Sequence, residues 1–279
     1  NPPPRNLANR CPNIIAFCPS PQFLLYFHSN PNTTLHEGGV SRMNMNASVQ
    51  AALDAFSQGR PVCLFDSEKR EGETDLLFLA EKAQPATMRQ LRKDCGGLLF
   101  LAIGHEVGEI FGLPFLQDLH TEEQATKHHP VLSHLITHDL KYDSRSAFTL
   151  SLNHRKTYTG ITDHDRALTT RRFAELTKEV TKAGRSQDEA MALLGEEFRT
   201  PGHIPVCRES HGGLSMRQGH TELAVGLARL AGATPVVIGA EMLEPEGDYA
   251  LPVDEAERWA SERGIPFLHG ADVIQALGL

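Results

Sequence analysis

The sequence predicts a single compact α/β domain over residues 43–279, an α+β arrangement in which a mixed sheet is flanked by helices. Three observations predict it. Helical apolar spacing alternates with short apolar runs from Ala47 to the C-terminus. No internal repeat and no linker divides residues 45–279. Hairpin-like turns between some of the runs imply strands of both directions.

Each element has its own signal. Val49, Ala52, Leu53 and Phe56 recur at helical spacing, Gly59 closes that helix, and "PVCLF" (61–65) follows as a strand. "LLFLA" (76–80) reads as the next strand. Pro85 opens a helix that runs through Arg92, "CGG" ends it, and "LLFLAI" (98–103) is a buried strand. The stretch from His105 to Tyr142 is irregular, with short helices and six of the fourteen histidines. "FTLSLNH" (148–154) alternates like a strand with one wet face. Helices are expected at 164–182 and 186–194, then the strand "GHIPVCRE" (202–209), with "HGG" (211–213) as a hairpin turn. Leu223, Leu227 and Leu230 mark a helix closed by Gly232, and "PVVIGAEML" (235–243) is a strand. A helix at 253–263, the strand "IPFLH" and a helix at 271–277 complete the chain.

Composition narrows the function. A net charge of −8 without a basic block excludes a nucleic-acid footprint, and no apolar run is long enough to span a bilayer. Five cysteines without metal-ribbon spacing fit reduced thiols and a cytoplasmic location. Residues 1–42 are rich in Pro and Asn and aperiodic. They are expected to be a disordered or non-native extension, with Met43 as the start and "EGGV" as translated ribosome-binding sequence.

Four polar features stand out. In "FDSEKREGETD" (65–75), Glu71, Glu73 and Asp75 alternate, so an extended segment would aim them to one side. Clustered carboxylates need a cation, and oxygen ligands suit Mg²⁺; a solvated turn balanced by Lys69 and Arg70 is the plainer alternative. His203 follows a Pro-Gly turn, either as an acid/base or as a satisfied structural group. Arg217, Gly219, His220 and Thr221 precede an amphipathic helix whose free N–H groups favour an anion, although simple capping would also explain Thr221. Glu241 ends an apolar strand, which is costly unless the carboxylate is used or paired. Together these parts suit enolisation of a small phosphorylated sugar. The six histidines from His105 to His138 lack ligand spacing, and "HEVGE" lacks the second histidine of a metalloprotease helix.

The motifs "DSEKREGETD", "CGGLLFLAI", "FTLSLNHRKTYTGITDHDRA", "FRTPGHI" and "RQGHTELAVGLARLAG" resemble 3,4-dihydroxy-2-butanone 4-phosphate synthases of the single-function archaeal type, in order and spacing, from about residue 46 to the end. The resemblance implies conversion of D-ribulose 5-phosphate to L-3,4-dihydroxy-2-butanone 4-phosphate and formate, with Mg²⁺ or Mn²⁺, two ions per site. It implies Glu71 and His220 as metal ligands. Arg70, Glu71, Asp75, Thr159, Asp165, Arg217, Gln218, Gly219, His220, Thr221 and Glu241 would contact substrate. His203 and Glu241 would serve later proton transfers, and Glu73 or Asp75 the first. It further implies a homodimer with sites at the interface, and a chain without the GTP cyclohydrolase II domain of many bacterial relatives. Phe100 stands where relatives often have cysteine, a thiol either dispensable or replaced by Cys95. The rival readings are a metal-dependent sugar-phosphate isomerase or aldolase, and a non-catalytic homologue.

Overall fold

The computed structural model describes residues 46–136 and 139–279. The expectation for residues 1–42 lies outside the described residues. A seven-stranded sheet runs β4 (Phe148–His154), β5 (Phe198–Arg208), β3 (Phe100–Ile103), β6 (Val236–Glu241), β2 (Thr74–Leu79), β1 (Val62–Phe65), β7 (Phe267–His269). The pairs β1/β7 and β3/β5 are parallel and the other four antiparallel, so the sheet is mixed.

Alternation along the central strands builds two cores. Leu76 and Phe78 face one side of β2 and join α2 (Pro85–Asp94), α7 (Asp163–Lys182) and α10 (Val253–Glu262) through Met88, Phe173 and Ala256. Leu77 and Leu79 face the other and join α1 (Ala47–Ser57), α9 (His220–Leu230) and α11 (Gly270–Ala276) through Phe56, Leu227 and Val273. Both faces are covered, which is why β2 is buried at every position and its sequence runs apolar instead of alternating.

The segment after β3 forms four short helices, α3 (His105–Ile110), α4 (Leu116–Thr121), α5 (Glu123–His128) and α6 (Leu132–Leu135), and α8 (Gln187–Glu197) precedes β5. Ser186 caps α8 with Glu189 reaching back, the reciprocal pair that fixes its start.

Two expectations need correction. "HGG" makes no hairpin: Gly212 and Gly213 take positive φ of 86° and 54° and turn the chain from β5 through a 3-10 turn to α9. Nor does β4 alternate cleanly. Phe148 is exposed while Thr149 and Asn153 are buried, because register shifts interrupt its pairing with β5.

Candidate active site

The site begins with a turn. Asp66, at the end of β1, accepts the backbone N–H groups of Glu71, Gly72 and Glu73 at 3.1, 3.1 and 3.2 Å, and Gly72 takes φ 68°. Glu71 therefore lies in a turn and not on an extended strand shared with Asp75, since β2 starts only at Thr74. Both carboxylates nonetheless line one cavity of about 550 Å³, together with Glu73, Glu241, Arg70 and His220. Asp75 and Glu241 are direct cross-strand partners in the β2/β6 ladder. Gly97 packs against the latter so closely that a Cβ there would meet its Oε2 at 2.5 Å.

His220, the first residue of α9, bridges the acids. Its Nδ1 donates to Glu71 Oε2 at 3.0 Å and its Nε2 to the Glu73 carbonyl at 3.1 Å, with Asp75 Oδ1 at 3.6 Å. Both partners are acceptors, so the ring carries two protons and a positive charge. Burial opposes that charge, but Asp75, the Glu71 hydrogen bond and Asp66 outweigh it and lift the imidazole pKa to about 10. The hydrogen bond from His220 holds Glu71 below the usual carboxylate range. Burial pushes Glu73, Asp75 and Glu241 above it, with neighbouring carboxylates adding to the effect.

A divalent cation fits this donor set. Asp66, Glu71 and His220 offer ligand atoms within 4.8 Å of one another. Asp66 is the least suited of them, because its oxygens already anchor the turn. Asp75 is better placed: both its oxygens are buried without a hydrogen bond, and only a cation or a proton would neutralise them. The protonated imidazole plays that part here.

Cations gather beside the acids. Arg217 bonds Asp143 through Nε and Glu222 through Nη1, and Arg70 approaches the same Asp143 at 3.5 Å. Gly219 is the N-cap of α9 and no side chain caps the helix, so Thr221 is its second residue and not the cap. Thr221 lines the cavity; Gln218 is exposed and does not. Leu98, Phe100 and Cys207 form an apolar wall. Cys95 is buried outside that lining, and the thiol that lines the cavity with Phe100 is Cys207, on the neighbouring strand β5 and in register with Ala102.

His203, Thr159 and Asp165 do not line this cavity. They form a second cluster on the β4/β5 edge. Asn153 Oδ1 accepts the His203 backbone N–H at 2.8 Å, which turns its Nδ2 toward the ring, 3.0 Å from Nδ1. Nδ1 is thus an acceptor, and the proton of the neutral ring sits on Nε2. Asp165 accepts the N–H groups of Thr159 and Gly160 at 3.3 and 2.9 Å. Burial raises its carboxyl, and the N–H donors of Gly160, Thr159 and Tyr158 outweigh that and leave its pKa low.

Asp66, Asp143, Asn153 and Glu222 escaped the sequence reading. Only Asp66 carries a signal, a carboxylate closing an apolar strand six residues before a glycine turn.

A sequence profile for 3,4-dihydroxy-2-butanone 4-phosphate synthase matches residues 50–276. The synthase of Methanothermobacter thermautotrophicus is 38% identical over 234 residues, 84% of this chain and 97% of its own. That of Archaeoglobus fulgidus is 41% identical over 227 residues, 81% of this chain and 92% of its own. A solved synthase in complex with two magnesium ions superposes with a TM-score of 0.62 at 28% identity, covering 82% of this chain and 95% of that one. The cation-free form of a synthase gives 0.62 at 27% identity, over 84% and 98%. The chain belongs to the 3,4-dihydroxy-2-butanone 4-phosphate synthase family.

Proposed function

We propose that residues 43–279 form the synthase domain, converting D-ribulose 5-phosphate to L-3,4-dihydroxy-2-butanone 4-phosphate and formate, a lyase step of riboflavin biosynthesis. The observation that carries this reading is the meeting of Glu71 and His220, 149 residues apart, among four further carboxylates of one cavity. Glu71 and His220 would hold two Mg²⁺ or Mn²⁺ ions with substrate oxygens and water; a relative has been solved with two magnesium ions. When bound, such an ion withdraws charge from the substrate carbonyl and eases removal of the adjacent proton.

The chain's own groups do the rest. Glu73 or Asp75, made more basic by burial, takes the C3 proton. The C1 hydroxyl leaves as water, the carbon skeleton rearranges, and C4 takes up water and departs as formate, so no net water is consumed. Glu241 and His203 move protons in these later steps. Arg70, Arg217 and the open start of α9 would hold the phosphate, which fixes the reacting carbons.

This scheme needs His203 at the cavity, and within one chain it is elsewhere. We therefore read the enzyme as a cytoplasmic homodimer in which the β4/β5 edge of one subunit, with Thr159 and Asp165, completes the partner's site. Exposed Tyr158 (94%) and Ile161 (52%) beside that cluster support an edge made to be covered. Cytoplasmic residence is supported by the buried, unpaired thiols Cys63, Cys95 and Cys207, and no described helix is long and apolar enough to cross a membrane. Formate release from ribulose 5-phosphate, abolished by EDTA and restored by Mg²⁺, tests the reaction; an isomerase releases none. Mixing Glu71→Ala and His203→Asn chains tests the shared site: activity returns only if the two residues act across subunits.

A further inference from the structure

The phosphate reading above leaves one carboxylate unexplained. Asp143 precedes β4, on the segment that covers the cavity, and its side chain is about nine-tenths buried. It is bonded to Arg217 Nε and lies 3.5 Å from Arg70 Nη2, so a single carboxylate bridges the two guanidinium groups. Those groups are packed on the N-cap of α9: a Cβ at Gly219 would collide with Arg217 Nη1 and come within 3.0 Å of Arg70 Nη2. Two guanidiniums stacked on an uncapped helix start make a site for an anion with several oxygens. Arg217 is held from behind by Glu222, which is wholly buried and also accepts the Ser210 N–H at 2.9 Å. Arg70 Nε is buried with no hydrogen bond. Arg217 is thus fixed without Asp143, while Arg70 Nε faces Asp66 Oδ2 at 3.8 Å without a hydrogen bond, so the pair has donor capacity that one carboxylate does not fill.

We propose that Asp143 is an internal occupant of the phosphate subsite, a specificity-determining residue that the substrate's phosphate must displace. This rests on the phosphate reading above. A sugar phosphate brings close to two charges and three acceptor oxygens at neutral pH, against one charge and two oxygens for Asp143. It therefore wins where singly charged or neutral sugars do not. The same competition weakens retention of free phosphate and of the phosphorylated product.

The test uses the full chain, with inorganic phosphate as the calorimetric probe and formate release for KM. Asp143→Asn and Asp143→Ala are expected to bind phosphate roughly five- to tenfold more tightly, with KM falling by a similar factor. Asp143→Glu, which keeps the charge, stays near the parent and serves as the second variant if the others melt early. Phosphate affinity unchanged or weakened in well-folded Asp143→Asn and Asp143→Ala would overturn the proposal and make Asp143 a scaffold for the arginines. The underlying reading fails separately: Arg217→Ala with undiminished phosphate binding places the phosphate elsewhere, whatever Asp143 does.

Discussion

The two histidines of the proposed chemistry sit in opposite surroundings. His220 is buried, charged and hemmed in by carboxylates: Asp75, Glu71 and Asp66 push its proton affinity up, and Asp75 has no hydrogen bond of its own. His203 is exposed, oriented by one amide, and bonded to no carboxylate. The first region holds buried carboxylate oxygens without hydrogen bonds, while the second is satisfied within itself; the function proposed above gives the one a cation and the other a partner surface. Ligand demand is thus legible as uncompensated charge in one place and as preset geometry in the other.

The comparison breaks most sharply at the acids. Glu71→Ala or His220→Ala is expected to lower the rate of formate release by about a thousandfold or more, because the charge-stabilising ion loses its grip. Metal binding, read by calorimetry, falls in parallel. At the other region His203→Asn should cost about a hundred- to ten-thousandfold in kcat, with metal affinity unchanged. Loss of metal binding in His203→Asn would erase the distinction.

The smallest effect concerns pH. The folded pKa of His220, about 10, lies above its unfolded value near 6.5. Folded protein then holds the proton that unfolded protein has released, so the stabilisation is complete below pH 6.5 and is lost as pH rises toward 10. In EDTA the melting temperature should fall across this window, and the fall should shrink in His220→Gln. Added Mg²⁺ displaces the proton, so its stabilising effect grows with pH. A melting temperature flat from pH 6.5 to 10 in EDTA would show that His220 is uncharged in the folded state.

Much of the ladder was legible in the sequence because strands buried on both faces write continuous apolar runs, as "LLFLA" and "PVVIGA" do. Glu71, His220 and Glu241 were legible as oddities, charges beside apolar runs. What local pattern could not carry was partnership at a distance. Asp143 meets Arg217 across 74 residues, and Asn153 meets His203 across 50. Of the two readings open for 66–73, the turn holds and the extended one does not, for a local reason: three N–H groups converge on Asp66 and outcompete extension. In β4 the bulges defeated a period-two reading.

The charged and apolar linings of the cavity come from different parts of the fold. Charged groups crowd the β1–β2 turn, the end of β6 and the head of α9, where a methyl group on Gly219 would meet the guanidiniums of Arg217 and Arg70. Leu98, Phe100 and Cys207 come from β3, its approach and β5. Redesign for longer or bulkier sugars therefore has one permissive direction, the greasy side, where volume is exchanged without disturbing a single ion pair.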